Sequence, residues 1–324
     1  QSLSTVGTSV TVLDETFFKN SNEFFLGDAL SSNTTSSNFF QSGGHGTSSA
    51  IQLRGLPKRY STVYIDGVKM SDPSSVSNDF DFNNILTSQI SRVEILKGNQ
   101  SSVYGSGAIG GTINIITKKG EQGFQKNIDY NTGSHGTNNL SFSLSGADEN
   151  DNFYIGLERF QTDGISQMTH NDEKDRYRNN SLATNYSHDF SDKLKFQSNI
   201  RIAETYLQYD KEVDTATADH SEEEDGLQSS SSIGLTYKLN EKFKSKFTIA
   251  NTYIKRVYAD APNSGNTVKD NYYGERYTYM YTGNYNFNLD NSLVFGIERE
   301  DDQMGYNENM TGMTYKDIYV TSNY

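Results

Sequence analysis

Two patterns of hydrophobic positions divide the chain near residue 119. Before it, short apolar segments with period two flank a helical pattern that begins at Asp14 and runs to Leu30. After it, apolar and polar residues alternate with period two to the end of the chain, and the helical period does not recur. These patterns predict a small α+β domain over residues 1–119 and antiparallel β-strands over residues 120–324.

The alternation after residue 119 places apolar and aromatic side chains on one face of each predicted strand. Thr, Asn and further Tyr residues fill the other face. The clearest sets are Leu194, Phe196, Ile200 and Ile202; Ile233, Leu235, Tyr237 and Leu239; Tyr277, Tyr279, Tyr281, Tyr285, Phe287 and Leu289; and Leu293, Phe295 and Ile297.

The connections between these strands alternate in length. Short polar turns are predicted at 148–151, 190–193, 239–242 and 288–291, and longer loops at 163–176, 209–226, 259–272 and 305–315. Short turns at one rim and long loops at the other are typical of outer-membrane β-barrels. A soluble meander or propeller is the alternative, but strands of about 12 to 16 residues exceed the usual length of roughly 5 to 6 and favour tilted membrane spans.

Composition narrows the class of protein. The 324 residues contain no cysteine, which excludes disulfides and zinc thiolates, and the net charge of -13 argues against a nucleic-acid partner. The mean hydropathy is -0.72, and no apolar run is long enough for a membrane-spanning helix. A low mean hydropathy is still compatible with a barrel, because every second residue of its strands faces a polar lumen. Gln1-Ser-Leu-Ser does not resemble a signal peptide.

Two glycine-containing blocks stand out in the first domain. The block 51–69 contains Asp66-Gly67 between apolar strands, a dipeptide that favours a tight β-hairpin turn with two positive φ angles. The block 90–117 reads as a strand, a glycine-broken turn and a second strand, with glycines at 105, 107, 110 and 111. Taken alone, the second block could be a surface loop.

In this order and at this separation, the two blocks resemble the plug-domain signatures of TonB-dependent outer-membrane receptors. The resemblance implies an α+β plug domain at 1–119 and, at 120–324, the N-terminal portion of a transmembrane β-barrel. We count about ten strands, against the roughly 22 of a complete barrel of this family. We therefore expect a partial barrel whose first and last strands do not pair with each other.

The resemblance also implies a function and a location. Such receptors lie in the cell outer membrane of Gram-negative bacteria and import scarce, large ligands, here a cobalamin-like or ferric-siderophore-like solute. The spacing is most similar to that of the cobalamin-transporting members. The energy-transducing partner, TonB, is expected to bind a segment upstream of Gln1. A receptor with an additional signalling domain and, less favoured, a soluble β-rich carbohydrate-binding protein remain the alternatives.

Candidate site residues follow from the positions that match the family. Ligand contact is expected at outward plug loops, and structural ion pairs are expected within the plug signatures, with gating as an addition. The ligand candidates are His45, Thr47, Ser48, Ser49 and Asp79, and the ion-pair set is Arg54, Arg92, Glu94 and Lys97. A lone histidine among glycines is more often simply exposed than bound to a metal.

A calcium site is the remaining expectation. Asp172, Asp175, Asp210 and Asp219 lie where the resemblance places an acidic calcium-binding stretch and its partner loop. Calcium takes six to eight oxygen ligands, which carboxylates on two adjacent loops can supply. A merely solvated acidic rim is the more common explanation of such residues. No other cofactor is expected, and the five scattered histidines and absent cysteines give no catalytic arrangement, so we do not expect an enzyme.

Overall fold

A computed structural model describes residues 9–34, 37–75, 77, 79–99, 107–166, 174–210, 221–259, 269–288, 291–310, 313–314 and 318–323. These residues form two sheets with separate roles and one small hairpin. We call residues 9–120 the plug and the long strands that follow the wall. In the plug, the elements are β1 Ser9–Leu13, α1 Glu15–Asn20, α2 Leu26–Asn33, β2 Ser37–Gln41, β3 Ser49–Leu53, β4 Ser61–Ile65, β5 Val68–Lys69, β6 Ile90–Lys97 and β7 Gly111–Thr117, with 3-10 turns at Lys58–Tyr60, Phe82–Asn84 and Thr87–Gln89.

The plug is built on a five-stranded sheet in the order β1-β6-β7-β4-β5, with β4 and β7 parallel and the other pairs antiparallel. Strands β2 and β3 form a separate hairpin. The helical pattern from Asp14 to Leu30 is split into two helices rather than one. Asp14 caps α1 by accepting a hydrogen bond from the Phe17 amide at 3.0 Å, and the chain becomes extended at Ser21. The polar run 20–22 favours a cap over continuation of the helix.

The predicted hairpin at Asp66-Gly67 is confirmed. Asp66 and Gly67 have φ angles of 50° and 83°, and Ile65 pairs with Val68 across the turn. The Asp66 carboxylate also accepts hydrogen bonds from the Thr117 amide at 3.0 Å and hydroxyl at 2.6 Å. The turn is therefore fastened to the end of β7, although the two lie far apart in sequence.

The wall consists, within the described residues, of nine long antiparallel strands in sequence order and two short ones that both pair with the last. Its strands are β8 Gly123–Thr132, β9 Asn138–Ala147, β10 Asp151–Thr162, β11 Tyr177–Ser191, β12 Leu194–Asp210, β13 Ser221–Lys238, β14 Phe243–Ala259, β15 Lys269–Asn286, β16 Ser292–Met310, β17 Met313–Thr314 and β18 Ile318–Asn323. The count agrees with the expected number of about ten. No described ladder joins β8 to β16 or β18, so the sheet is open, as predicted.

The strand bounds place the short turns at one rim and the long connections at the other. The short turns span 148–150, 192–193, 239–242 and 287–291, and we call their side the turn rim. The opposite, long-loop rim carries the connections 163–176, 211–220 and 260–268, together with one short hairpin at 133–137. This arrangement confirms the predicted long connections after β10, β12 and β14. The long loop predicted at 305–315 is wrong over 305–310, because β16 continues to Met310 and pairs there with β15 and β17.

Each wall strand has a face that contacts the plug and a face that points away from it. On β13, Ile233, Leu235 and Tyr237 point outward and are 56%, 44% and 44% exposed, whereas Ser230 and Ser232 point inward and are buried. Toward the long-loop rim the outward face changes to charged residues, at Arg159, Glu204, Asp225, Lys255, Glu275 and Arg299. An outward apolar band bounded by charge fits strands that cross a bilayer.

Separately, the helices of the described chain are too short and too polar to cross a membrane.

Candidate functional site: the outer plug loops and the plug–wall contacts

Two plug segments, 43–49 and 72–84, reach the long-loop rim. The ring of His45 lies 5.5 Å from that of Phe160, near the end of β10. The Tyr177 hydroxyl, at the start of β11, donates to the Asn83 carbonyl at 3.1 Å. Since Phe160 and Tyr177 flank the long loop between β10 and β11, these plug segments face the same rim as the long loops.

Hydrogen bonds hold the two plug segments together. Ser49 donates its amide to the Asp81 carboxylate, and its hydroxyl accepts from the Phe82 amide, both at 2.8 Å. The Asn83 amide group donates to the Gly46 carbonyl at 2.6 Å and the Thr47 carbonyl at 3.2 Å. Thr47 and Ser49 are buried and shape the loop from within. Ser48, by contrast, is exposed, and only its hydroxyl reaches Asp81, at 3.3 Å.

His45 is exposed as a residue, yet one face of its ring is covered. The imidazole stacks on Phe25 with ring centroids 4.9 Å apart and an angle of 28° between the planes. Desolvation of the ring lowers the pKa of His45, and the carboxylates of Asp28 and Glu23 oppose that shift only in part. A neutral, aromatic-backed imidazole therefore faces the long-loop rim at neutral pH.

Asp79 lies in an acidic part of the plug surface. One of its carboxylate oxygens accepts from the Ser77 hydroxyl at 2.9 Å and lies 3.6 Å from the Lys58 ammonium, which is also 3.7 Å from Asp81. The other oxygen, Oδ1, is buried and has no hydrogen-bond partner among the described residues. Nearby, Asp72 forms an ion pair with Arg256 of the wall at 2.8 Å.

Of the four charged residues of the plug signatures, two form an ion pair and the other two are cations that lie side by side. Arg92 and Glu94 make an ion pair on the surface of β6. Arg54, in contrast, lies beside Lys97, and burial together with this nearby guanidinium lowers the pKa of the Lys97 ammonium. The Arg92–Glu94 pair lies within the plug and does not join it to the wall.

The ion pairs that do join plug and wall involve residues that sequence analysis missed. The Lys69 ammonium lies 2.8 Å from the Glu300 carboxylate on β16. Arg276, on β15, holds Asp302 in a bidentate pair at 2.7 and 2.8 Å and donates a further hydrogen bond to the Ser71 carbonyl at 3.0 Å. In the alternating pattern of their strands, Arg276 and Glu300 occupy positions that point inward, where most residues are small and polar. A charged residue at such a position in the middle of a strand is the sequence signal that could have identified them.

Uncharged donors and acceptors dominate the contacts on the opposite side of the plug. The Gln89 amide group donates to the Ser181 hydroxyl at 3.1 Å, and Asn185 donates to the Lys118 carbonyl at 2.9 Å. The exceptions are Arg201, which donates to a backbone carbonyl of the plug at 2.8 Å, and Glu158, which accepts from the Ser88 hydroxyl.

The four calcium candidates are only partly described. Asp172 and Asp219 lie outside the described residues. The backbone segments that carry the other two are adjacent, because the Gln208 backbone amide donates to the Arg176 carbonyl at 2.8 Å and so places Asp175 next to the end of the strand that carries Asp210. Both carboxylate oxygens of Asp210 are buried and accept no hydrogen bond from described residues. The described residues alone include no group of three metal-ligating side chains.

Comparison with known proteins agrees with this architecture. A family model described as the TonB-dependent receptor plug domain matches residues 2–112. The vitamin B12 transporter BtuB of Vibrio cholerae is 28% identical over 190 residues, which cover 57% of this chain and 31% of that protein. BtuB of Photobacterium profundum is 29% identical over 234 residues, which cover 70% of this chain and 37% of that protein. The chain thus spans about a third of the length of the curated relatives it matches.

Among solved structures, the ferripyoverdine receptor of the outer membrane of Pseudomonas aeruginosa, bound to ferripyoverdine, has a TM-score of 0.76 with this chain. The match covers 98% of this chain and 48% of that one at 14% identity. At this identity the likeness concerns the fold, a plug domain followed by antiparallel strands of a partial barrel.

Proposed function

We propose that this chain, which belongs to the TonB-dependent receptor family, forms the plug and part of the barrel of a receptor that imports a scarce, large solute across the outer membrane. The observation that carries the proposal is the plug itself. It packs on the inner face of a membrane-type sheet and presents two hydrogen-bonded loops toward the long-loop rim. Loops held on a rigid scaffold are where binding residues are usually found.

Cobalamin is the solute that we propose first. The matched relatives are named as vitamin B12 transporters. A ferric siderophore is the second candidate, because a structural neighbour of the same fold holds ferripyoverdine. The relatives and this structural neighbour are named as transporters and a receptor.

Energetics supports an external energy source for this import. A ligand held with nanomolar affinity is bound by about 12 kcal/mol, so its release inward is slow without work. We propose that TonB supplies this work by binding the receptor's N-terminal segment, a contact of the strand-addition type. Solute outside and TonB inside are then coupled sites, each of which changes the affinity of the other.

Uptake measurements test the function. The full-length receptor, expressed in a strain without its own cobalamin and siderophore receptors, should restore uptake of labelled cobalamin, and the uptake should require TonB. Ferric siderophores serve as the competing substrates. Restored uptake of a ferric siderophore without cobalamin uptake would replace the first candidate by the second, and uptake of neither would contradict the proposal.

Within this function, we propose His45 and Ser48 as ligand contacts. Both are exposed toward the long-loop rim, whereas Thr47 and Ser49 act by holding the loop, and Asp79 contributes charge beneath it. Changing His45→Ala and Ser48→Ala together should weaken cobalamin binding about tenfold, or ~1.4 kcal/mol, with an unchanged amount of receptor in the membrane. Asp148→Ala, in a turn at the opposite rim, is the matched control. Equal affinity in all three proteins would exclude this loop as the binding site.

Calcium is a separate proposal. The buried carboxylate of Asp210, whose oxygens accept no hydrogen bond from described residues, fits an oxygen ligand for a divalent cation shared with Asp172, Asp175 and Asp219. Calcium would neutralise these carboxylates and order the two loops before the solute arrives, so that solute binding no longer bears that ordering cost.

We therefore expect calcium to raise the receptor's solute affinity about tenfold relative to chelator, and Asp210→Asn to abolish the difference. Asp225 is exposed and points outward, so Asp225→Asn should retain the effect of calcium on solute affinity. This control separates a specific calcium site from general screening of acidic charge. Titration of labelled cobalamin into the purified full-length receptor provides the measurement. Identical affinity in calcium and in chelator would mean that these residues form only a solvated rim.

A further inference from the structure

A cavity of about 710 Å³ separates the plug from one part of the wall. It lies toward the turn rim, between the β4–β5 hairpin and strands β11–β16. The wall lines it chiefly with small and polar side chains, including Ser198, Ser232, Gly234, Thr248, Thr278 and Thr282. A space of this size and polarity can hold water or a polar part of a solute without loss of apolar burial.

The inner face of β14–β16 connects this cavity to the long-loop rim in three successive zones. Nearest the rim, Tyr258, Tyr272 and Tyr306 form a row across the three strands, with ring centroids 5.9 and 4.7 Å apart. Further along β14 and β15 come the residues that contact the plug, including Arg276. Beyond them, Thr248 belongs to the cavity. From the long-loop rim toward the turn rim, the inner face of these three strands therefore presents an aromatic surface, then a contact with the plug, and then one wall of the cavity.

The middle zone is occupied by plug residues 69–74. Thr252 on β14 donates its hydroxyl to the Lys69 carbonyl at 2.8 Å, and Lys69 forms its ion pair with Glu300. At Gly274 the wall backbone approaches so closely that a Cβ atom there would lie 2.4 Å from the Ser74 amide nitrogen. The 69–74 segment thus lies directly against the wall, between the tyrosine row and the cavity.

The opposite side of the plug is closed by a different kind of contact. Phe25 and Leu86 of the plug pack with Phe160, Tyr177 and Leu207 of β10–β12 in one buried cluster. Separating these surfaces would expose apolar area to water, which is costly throughout the displacement. Ion pairs such as Lys69–Glu300 behave differently, because hydration of the separated charges offsets much of the lost attraction. On the 69–74 side, Ala250 of β14 is the one described wall residue in the plug's apolar core cluster, which also contains Met70. Separating the 69–74 segment from the wall therefore exposes less apolar area and is the easier of the two openings.

We propose that the 69–74 segment is the gate of the transport path and that the solute moves along the inner face of β14–β16, from the tyrosine row to the cavity. The plug contacts with β10–β12 stay in place during this movement. This inference rests on the proposed import function, and it specifies which side of the plug opens.

A pair of reversible tethers tests the path in the full-length receptor. The 324 residues contain no cysteine, so introduced cysteines form the intended pair once any cysteine elsewhere in the receptor is replaced. Lys69→Cys with Thr252→Cys joins the gate to the wall, and Gln89→Cys with Ser181→Cys joins the opposite side. Under oxidation, the first pair should reduce uptake of labelled cobalamin at least tenfold, with recovery in reductant and binding retained, whereas the second should leave uptake unchanged. Equal loss in both pairs, or loss in the second alone, would overturn the proposal.

A second measurement needs no solute and therefore separates this proposal from the proposed function. A cysteine at the cavity, Thr248→Cys, is exposed in intact cells to a membrane-impermeant maleimide. Weakening the gate with Lys69→Met and Asp72→Asn should raise its labelling rate at least tenfold, whereas Ser88→Ala and Gln89→Ala should not. Failure of both cobalamin and ferric-siderophore uptake in the untethered parent would contradict the import function alone. Equal labelling rates in the two variants would contradict the gate.

Discussion

Replacing Arg276 by methionine in the full-length receptor should lower the free energy of unfolding of the plug by about 3–5 kcal/mol. Arg276 is 1% exposed, holds Asp302 in a bidentate pair and donates to the Ser71 carbonyl of the plug. Its removal leaves the Asp302 carboxylate and the Ser71 carbonyl in a largely buried contact without their donor. An uncompensated buried charge is much more costly than the net contribution of the pair.

Guanidinium titration of the purified receptor provides the measurement, with a fluorophore on Gly44→Cys to report plug unfolding. A Cβ atom at Gly44 meets no other atom within 4 Å, so the label should not disturb the loop. We expect the midpoint to shift to lower denaturant, with the slope retained if the unfolding unit is unchanged.

Two controls separate a buried charge from a general loss of contacts. The double change Arg276→Met and Asp302→Leu should recover much of the lost stability, because it leaves no unpaired carboxylate. Arg299→Met removes an ion pair from the same region of the wall, but Arg299 points outward and its side chain is 65% exposed. Its effect should be about 0–1 kcal/mol. A double variant as unstable as the single one would contradict this explanation.

Which side chains of the wall strands point outward could be predicted, because their direction depends only on period-two alternation. Tyr277 and Tyr279 point away from the plug, as the pattern indicates, and are 43% and 38% exposed. The same pattern extended too far at its end, since Phe287 lies in the turn after β15. Leu289 lies outside the described residues. Alternation identifies faces, but the last residues of a strand depend on the turn that follows.

The contacts between plug and wall could not be predicted in the same way. Lys69 and Glu300 are 231 positions apart, and no local pattern specifies which inward residue of a strand meets which plug residue. Knowledge of strand order would still not suffice, because the partner depends on the tilt of the plug within the wall. The Asp66-Gly67 turn illustrates the contrast, since its conformation follows from two adjacent residue types.

An arginine in the middle of the outward apolar band should prevent most of the receptor from assembling in the membrane. Ile233, on β13, lies between the charged position Asp225 and the turn rim and points away from the plug with 56% of its surface exposed. Ile233→Arg would place a guanidinium against lipid near the middle of the bilayer. On the lipid face of an outer-membrane barrel this costs roughly 2–4 kcal/mol at the midplane and about 0–1 kcal/mol near the interfaces.

The chain offers a matched control on the same strand and the same face. Asp225 lies eight positions nearer the long-loop rim by residue number, at the charged boundary of the band, so Asp225→Arg should change stability by no more than about 1 kcal/mol. Quantifying folded receptor in outer-membrane fractions, together with refolding titrations into lipid vesicles, compares the two variants directly. Because the penalty arises from lipid rather than from lost packing, it should disappear if the outward face of β13 is covered by protein. Equal effects of the two arginines would therefore mean that this face does not cross the apolar part of the bilayer.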